Sequence, residues 1–251
     1  MTLENKVNEI IKIYDEHVYN KNIRCPDFFK LNKEFDRQYT SDEIQEFVNR
    51  VEMGSKLKNF NDYLGLFISS LINNSKEEII KLKLNFLYAK VNDLGAYNQK
   101  TLIINGNVGN SLGWNNQENG LIELNGNCGE NAGVCMNGGM IVINGNCDES
   151  PGTRMCGGYI EINGDCEKAV GWGMENGKIK INGNTKDHIG HSMNNGYIIL
   201  NGNCGYESAW NMQNGRIDIN GKYGSIADNI KKGDIYHKGL PLIIDGERYF
   251  G

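Results

Sequence analysis

The chain has 251 residues, a net charge of −5, 32 glycines and only 3 prolines. That length can bury a real core. The acidic balance leaves no electrostatic footprint for nucleic acid, and no apolar run is long enough to cross a bilayer. The first seventeen residues, MTLENKVNEIIKIYDEH, are acidic from the start and lack the apolar stretch of a signal peptide. The cysteine count is seven, an odd number, and no secretory signal accompanies it. The thiols are therefore expected to be reduced and the protein cytoplasmic.

Residues 1–97 read as a small all-α domain of about four helices. Leu3, Val7, Ile10, Ile11 and Tyr14 recur at helical spacing. Thr40-Ser41-Asp42-Glu43 has the form of a capping box and opens a second stripe through Ile44, Phe47, Val48 and Val51. Tyr63, Leu64, Phe67, Ile68 and Leu71 make a third. Ser75-Lys76-Glu77-Glu78 repeats the capping pattern ahead of Ile79, Ile80, Leu82 and Leu84, which predicts a fourth helix. Asp27-Phe28-Phe29, after Pro26, reads as a loop that plugs the core.

Residues 98–251 follow a different rule. One Asn-Gly series stands at 105, 125, 144, 163, 182, 201 and 220, and after the first interval its spacing is always 19. A fixed period of this kind marks stacked repeats. Two apolar columns precede it: Leu102, Ile122, Ile141, Ile160, Ile179, Ile198, Ile217 and Ile104, Leu124, Ile143, Ile162, Ile181, Leu200, Ile219. Between them stand Ile103, Glu123, Val142, Glu161, Lys180, Ile199 and Asp218. The period is two, so the apolar columns face a core and the mixed column faces outward. Glycine interrupts each coil too often for a helix, and an unbroken 19-residue period does not suit a meander of hairpins. The fold class expected is mainly β: a right-handed parallel β-helix of about seven 19-residue coils, with Leu240 onward capping the last.

Further columns stack in register. The asparagines can hydrogen-bond from coil to coil. Val108, Cys128, Cys147, Cys166, Thr185, Cys204 and Tyr223 form one column, and Gln117, Met136, Met155, Met174, Met193, Met212 and Ile230 another. A third holds Gly113, Gly133, Gly152, Gly171, Gly190, Ala209 and Ala227, where only a small residue lets the backbone bend tightly. The repeat, cleanest in residues 126–145 (GNCGENAGVCMNGGMIVING), resembles the GXGXG β-helix. That module closes the large subunit of glutamate synthase and makes up most of one subunit of formylmethanofuran dehydrogenase. The resemblance covers roughly residues 100–240. It implies a non-catalytic scaffold that supports a multisubunit redox enzyme, with the chemistry on neighbouring subunits.

No catalytic, cofactor-binding or metal-binding set emerges from the residues. A straight ladder of thiols does not converge tetrahedrally on zinc, and the column also accepts Val108, Thr185 and Tyr223, so it reads as core. The methionines read as core for the same reason. No P-loop, nucleophile elbow or dinucleotide fingerprint is present. Trp172, His191 and Trp210 share one column on three successive coils, with Val134, Thr153 and Asp228 elsewhere in it. They are the candidate partner-binding residues, since Trp is enriched at interface hot spots; the alternative is stacking that shields the coil edge. The expected partners are other protein subunits of a redox complex, or a second copy stacked on an exposed solenoid end.

Overall fold

A computed structural model describes residues 2–20, 35, 37–53, 60–84 and 91–249. Cys25 and the Asp27-Phe28-Phe29 segment lie outside them. Among the described residues three helices precede the sheet: α1 (Leu3–Asn20), α2 (Ser41–Met53) and α3 (Phe60–Asn73). The capping box at Thr40 forms. The Glu43 N–H donates to Thr40 Oγ1 at 3.2 Å, and the Thr40 N–H donates to Glu43 Oε2 at 3.3 Å. The helices bury an aromatic cluster in which Tyr14, Phe47 and Phe67 meet at ring distances of 5.0–5.6 Å. Edge-on contacts suit the ring quadrupoles and add about 1 kcal/mol per pair beyond burial.

The second capping pattern does not open a helix. Residues Ile79–Lys83 form a strand, β1, paired in parallel with β2 (Thr101–Asn105). Ile80 stands opposite Leu102 and Leu82 opposite Ile104, so these residues extend the two apolar columns by one coil. The period-two burial of Ile80, Leu82 and Leu84 outweighs the local helix-start signal. Ser75 instead turns its hydroxyl to the Tyr39 carbonyl at 2.8 Å.

The sheet continues through β3 (Leu121–Asn125), β4 (Met140–Ile143), β5 (Tyr159–Ile162), β6 (Lys178–Ile181), β7 (Tyr197–Leu200), β8 (Arg216–Ile219) and β9 (Asp234–His237). Each pairs in parallel with the next, in strict chain order. The fold is a parallel β-solenoid of about eight turns. The count exceeds the seven Asn-Gly coils because β1 and β9 lack that dipeptide. β10 (Leu240–Ile244) then reverses to run antiparallel to β9, and β11 (Glu247–Arg248) pairs antiparallel with β10. The tail from Leu240 thus adds two antiparallel strands beyond the last parallel one.

Both solenoid ends are covered. Beside β1, the Gln45 side chain of α2 bonds the Lys83 backbone twice, accepting from its N–H at 2.7 Å and donating to its carbonyl at 2.9 Å. This satisfies the backbone groups of Lys83 on that edge. α3 crosses the first turn at Gly65, where a Cβ would lie 1.6 Å from the Asn92 carbonyl oxygen, so no other residue fits. One apolar core runs from the helices through every coil to Ile243.

The predicted columns are realised inside it. The five methionines from Met136 to Met212 are fully buried. The position read as Gln117 belongs to Asn116, whose amide donates to the Gly120 and Gly138 carbonyls at 2.9 and 3.0 Å. The 20-residue first interval had hidden this one-residue offset. The asparagine ladder is continuous from Asn105 to Asn220, with amide-to-amide bonds of 2.6–3.1 Å between successive coils.

Candidate functional site

The turn face of the solenoid carries the aromatic strip, and the backbone there explains its geometry. In the coil of Trp172, Ala169, Gly171 and Gly173 have φ of 59°, 68° and 63°. The same every-second-residue pattern recurs at Ser150, Gly152, Arg154 and at His188, Gly190, Ser192. It sends Val170 and Met174 into the core and Trp172 outward. The middle position must be small. At Gly171 a Cβ would stand 2.6 Å from the Cδ1 of Ile198 in β7.

Coil-to-coil bonds then lock the strip. The Trp172, His191 and Trp210 carbonyls accept N–H groups from Arg154, Gly173 and Ser192 at 2.9, 2.8 and 2.7 Å. The rings follow: Trp172 to His191 is 5.9 Å at 58°, and His191 to Trp210 is 6.5 Å at 36°. Trp172 remains 49% exposed and Trp210 41%, so both rings are open to solvent. Burial, then the neighbouring His188, lowers the His191 pKa from the ordinary imidazole value, so the ring is neutral at neutral pH.

Beside the strip runs a groove of about 530 Å³ that crosses five coils. Trp172 and Gly173 lie midway along it, with Arg154, Glu175 and Asn194 among its walls. Sequence reading missed Arg154, Gly173, Glu175 and Asn194. Their signal was positional: they stand two and four places after the turn glycine, one coil after another. It also missed Trp114, which tops the same column and packs on Tyr97 at 5.3 Å. Val134 and Thr153 separate it from Trp172.

The other clusters read as structure. Cys128, Cys147 and Cys166 are buried in a ladder joined by parallel bridges. Hydrogen bonding with Cys128 pulls the Cys147 thiol down, but Cys166 and burial carry it well above the ordinary value, so it is an inert thiol. Among the described residues no three His, Cys, Asp or Glu side chains are grouped to hold a metal ion. On the outer sheet face two charged pairs form. Lys180 meets Glu161 at 2.7 Å and Arg216 meets Asp218 at 2.7 Å, while Arg216 also lies 4.0 Å from the Tyr236 ring centre. Burial and then Glu161 push the Tyr159 phenol up to about 12. Among the described residues no helix is long and apolar enough to cross a membrane.

No protein-family model matches this sequence, and no curated protein matches it either.

Proposed function

We propose that this protein is a non-catalytic binding scaffold, a rigid solenoid that presents the Trp172–His191–Trp210 strip to a partner protein. The observation that carries this reading is the exposure of two indoles on a backbone bonded coil to coil, because pre-ordered aromatic anchors bind with little entropic cost. The resemblance of the repeat to the GXGXG module makes a component of a multisubunit redox enzyme the partner to seek. Stacking of solenoid ends, the alternative, is disfavoured by the two caps: α2 lies over β1, and the short charged β11 closes the other edge.

The test is affinity capture from the source cells with the native chain and with a Trp172→Ala/Trp210→Ala double variant, followed by mass spectrometry. Redox-enzyme subunits should co-purify with the native chain and be lost with the variant, while thermal unfolding stays within about 3 °C. A native chain that migrates only as a homo-oligomer, or a variant that keeps the same subunits, would sink the scaffold reading.

A further inference from the structure

The strip has a spacing that selects among backbone conformations, and this observation rests on the reading of the strip as the recognition surface. Trp172 and Trp210 stand two coils apart, roughly 9.6 Å along the solenoid axis at one strand spacing per coil. A polyproline-II segment completes one turn in three residues, about 9.3 Å. Side chains at i and i+3 of such a segment therefore match the spacing of the two indole-bearing coils. A β-strand lying along the same axis repeats its face every two residues, about 6.6 Å, and falls out of step. We propose that the groove and strip bind a neutral proline-rich segment of a partner protein, held in the polyproline-II conformation along the solenoid axis.

The electrostatics of the groove agree. Its charged walls are one cation, Arg154, and one carboxylate, Glu175, so it carries no net charge and complements an uncharged segment. Polyproline-II has no internal hydrogen bonds and leaves its carbonyls free to accept. The groove supplies donors for them: the Arg154 and Asn194 side chains are exposed and make no hydrogen bond among the described residues. An α-helical partner would keep its carbonyls bonded internally and leave these donors unused. Aromatic grooves recognise proline-rich segments by this combination of flat rings and carbonyl-directed donors.

Gly173 provides the notch beside Trp172. A Cβ there would meet only Arg154 Cγ, at 3.7 Å. The equivalent positions on other coils hold Asn115 and Asn211, both with φ near 55°. Gly173→Asn therefore keeps the turn while filling the notch. Trp172→Thr likewise copies Thr153 from the same column.

The experiment is fluorescence polarisation of labelled decaproline against the full chain, with decapeptides of alternating Thr-Val and of Gly-Ser as conformational controls. Decaproline should bind saturably and both controls at least about tenfold more weakly. Gly173→Asn and Trp172→Thr should each weaken binding by about tenfold or more, while Leu3→Ser, at an exposed apolar side chain on α1, should leave it unchanged. Absence of saturable decaproline binding, equal binding of the Thr-Val peptide, or full binding by both groove variants would overturn the proposal. If decaproline fails but the Trp172/Trp210 variant still loses its protein subunits, the scaffold reading stands and the polyproline-II inference falls.

Discussion

The helical segment and the solenoid share one core but are held together differently. In the helical segment a few unlike groups meet once. Glu43, 2% exposed, receives Lys6 at 2.8 Å and Arg37 at 2.7 Å, and it also closes its own capping box. In the solenoid the same small contacts recur on every coil: an amide rung, a turn glycine against an isoleucine, a methionine against the next turn. One region concentrates its stability in singular residues, and the other distributes it along nearest neighbours.

The comparison breaks most sharply at a turn glycine. At Gly152 φ is 71° and a Cβ would lie 2.3 Å from Ile179 Cδ1. Gly152→Val should cost more than about 3 kcal/mol, from left-handed strain plus overpacking. Gly239 also has positive φ, 78°, but nothing lies within 4 Å, so Gly239→Ala should cost only about 1 kcal/mol. Urea unfolding of both variants measures the difference. Equal losses would mean that the isoleucine contact is unimportant.

A medium effect is expected in the helical segment. Glu43→Gln should lose about 2 kcal/mol at neutral pH, since it strands two partly buried cations. Burial alone would raise the Glu43 pKa, but hydrogen bonds from Lys6, Arg37 and Thr40 hold it below the ordinary carboxylate value. Its contribution is therefore present above that ordinary value and is lost as pH falls through the lowered one. The gap between native and variant stability should close on acidification; a gap independent of pH would contradict the assignment.

The smallest effect belongs to the exposed ladder. Asn163 donates to Asn144 at 2.7 Å and accepts from Asn182 at 2.6 Å. Its replacement by alanine should cost only about 0.5–1 kcal/mol, because water replaces both rungs. A loss as large as that at Gly152 would show the ladder, rather than the packed interior, to be the main source of solenoid stability.

Legibility also divided along this line. The columns of residues 102–219 were readable because every coil repeats the same solution, so noise at one position is corrected by the others. The helical segment offers no such redundancy. Thr40–Glu43 and Ser75–Glu78 carry the same four-residue signal, yet one starts α2 and the other leads into β1. The difference is the open edge of β2, a partner that lies some twenty residues downstream and cannot be seen locally. The site was half visible: Trp172, His191 and Trp210 follow from the period, but the groove beside them does not.

By itself the sequence determined the stacked parallel sheet, the inward columns and the asparagine ladder, since each follows from periodicity and side-chain volume. Only the tertiary structure decided that the solenoid begins at Ile79, that both its ends are covered, and that Arg154, Glu175 and Asn194 share a groove with Trp172. Those facts depend on which segments meet across the coils, and pairing between distant segments is settled by the packing of the whole chain rather than by any one stretch of it.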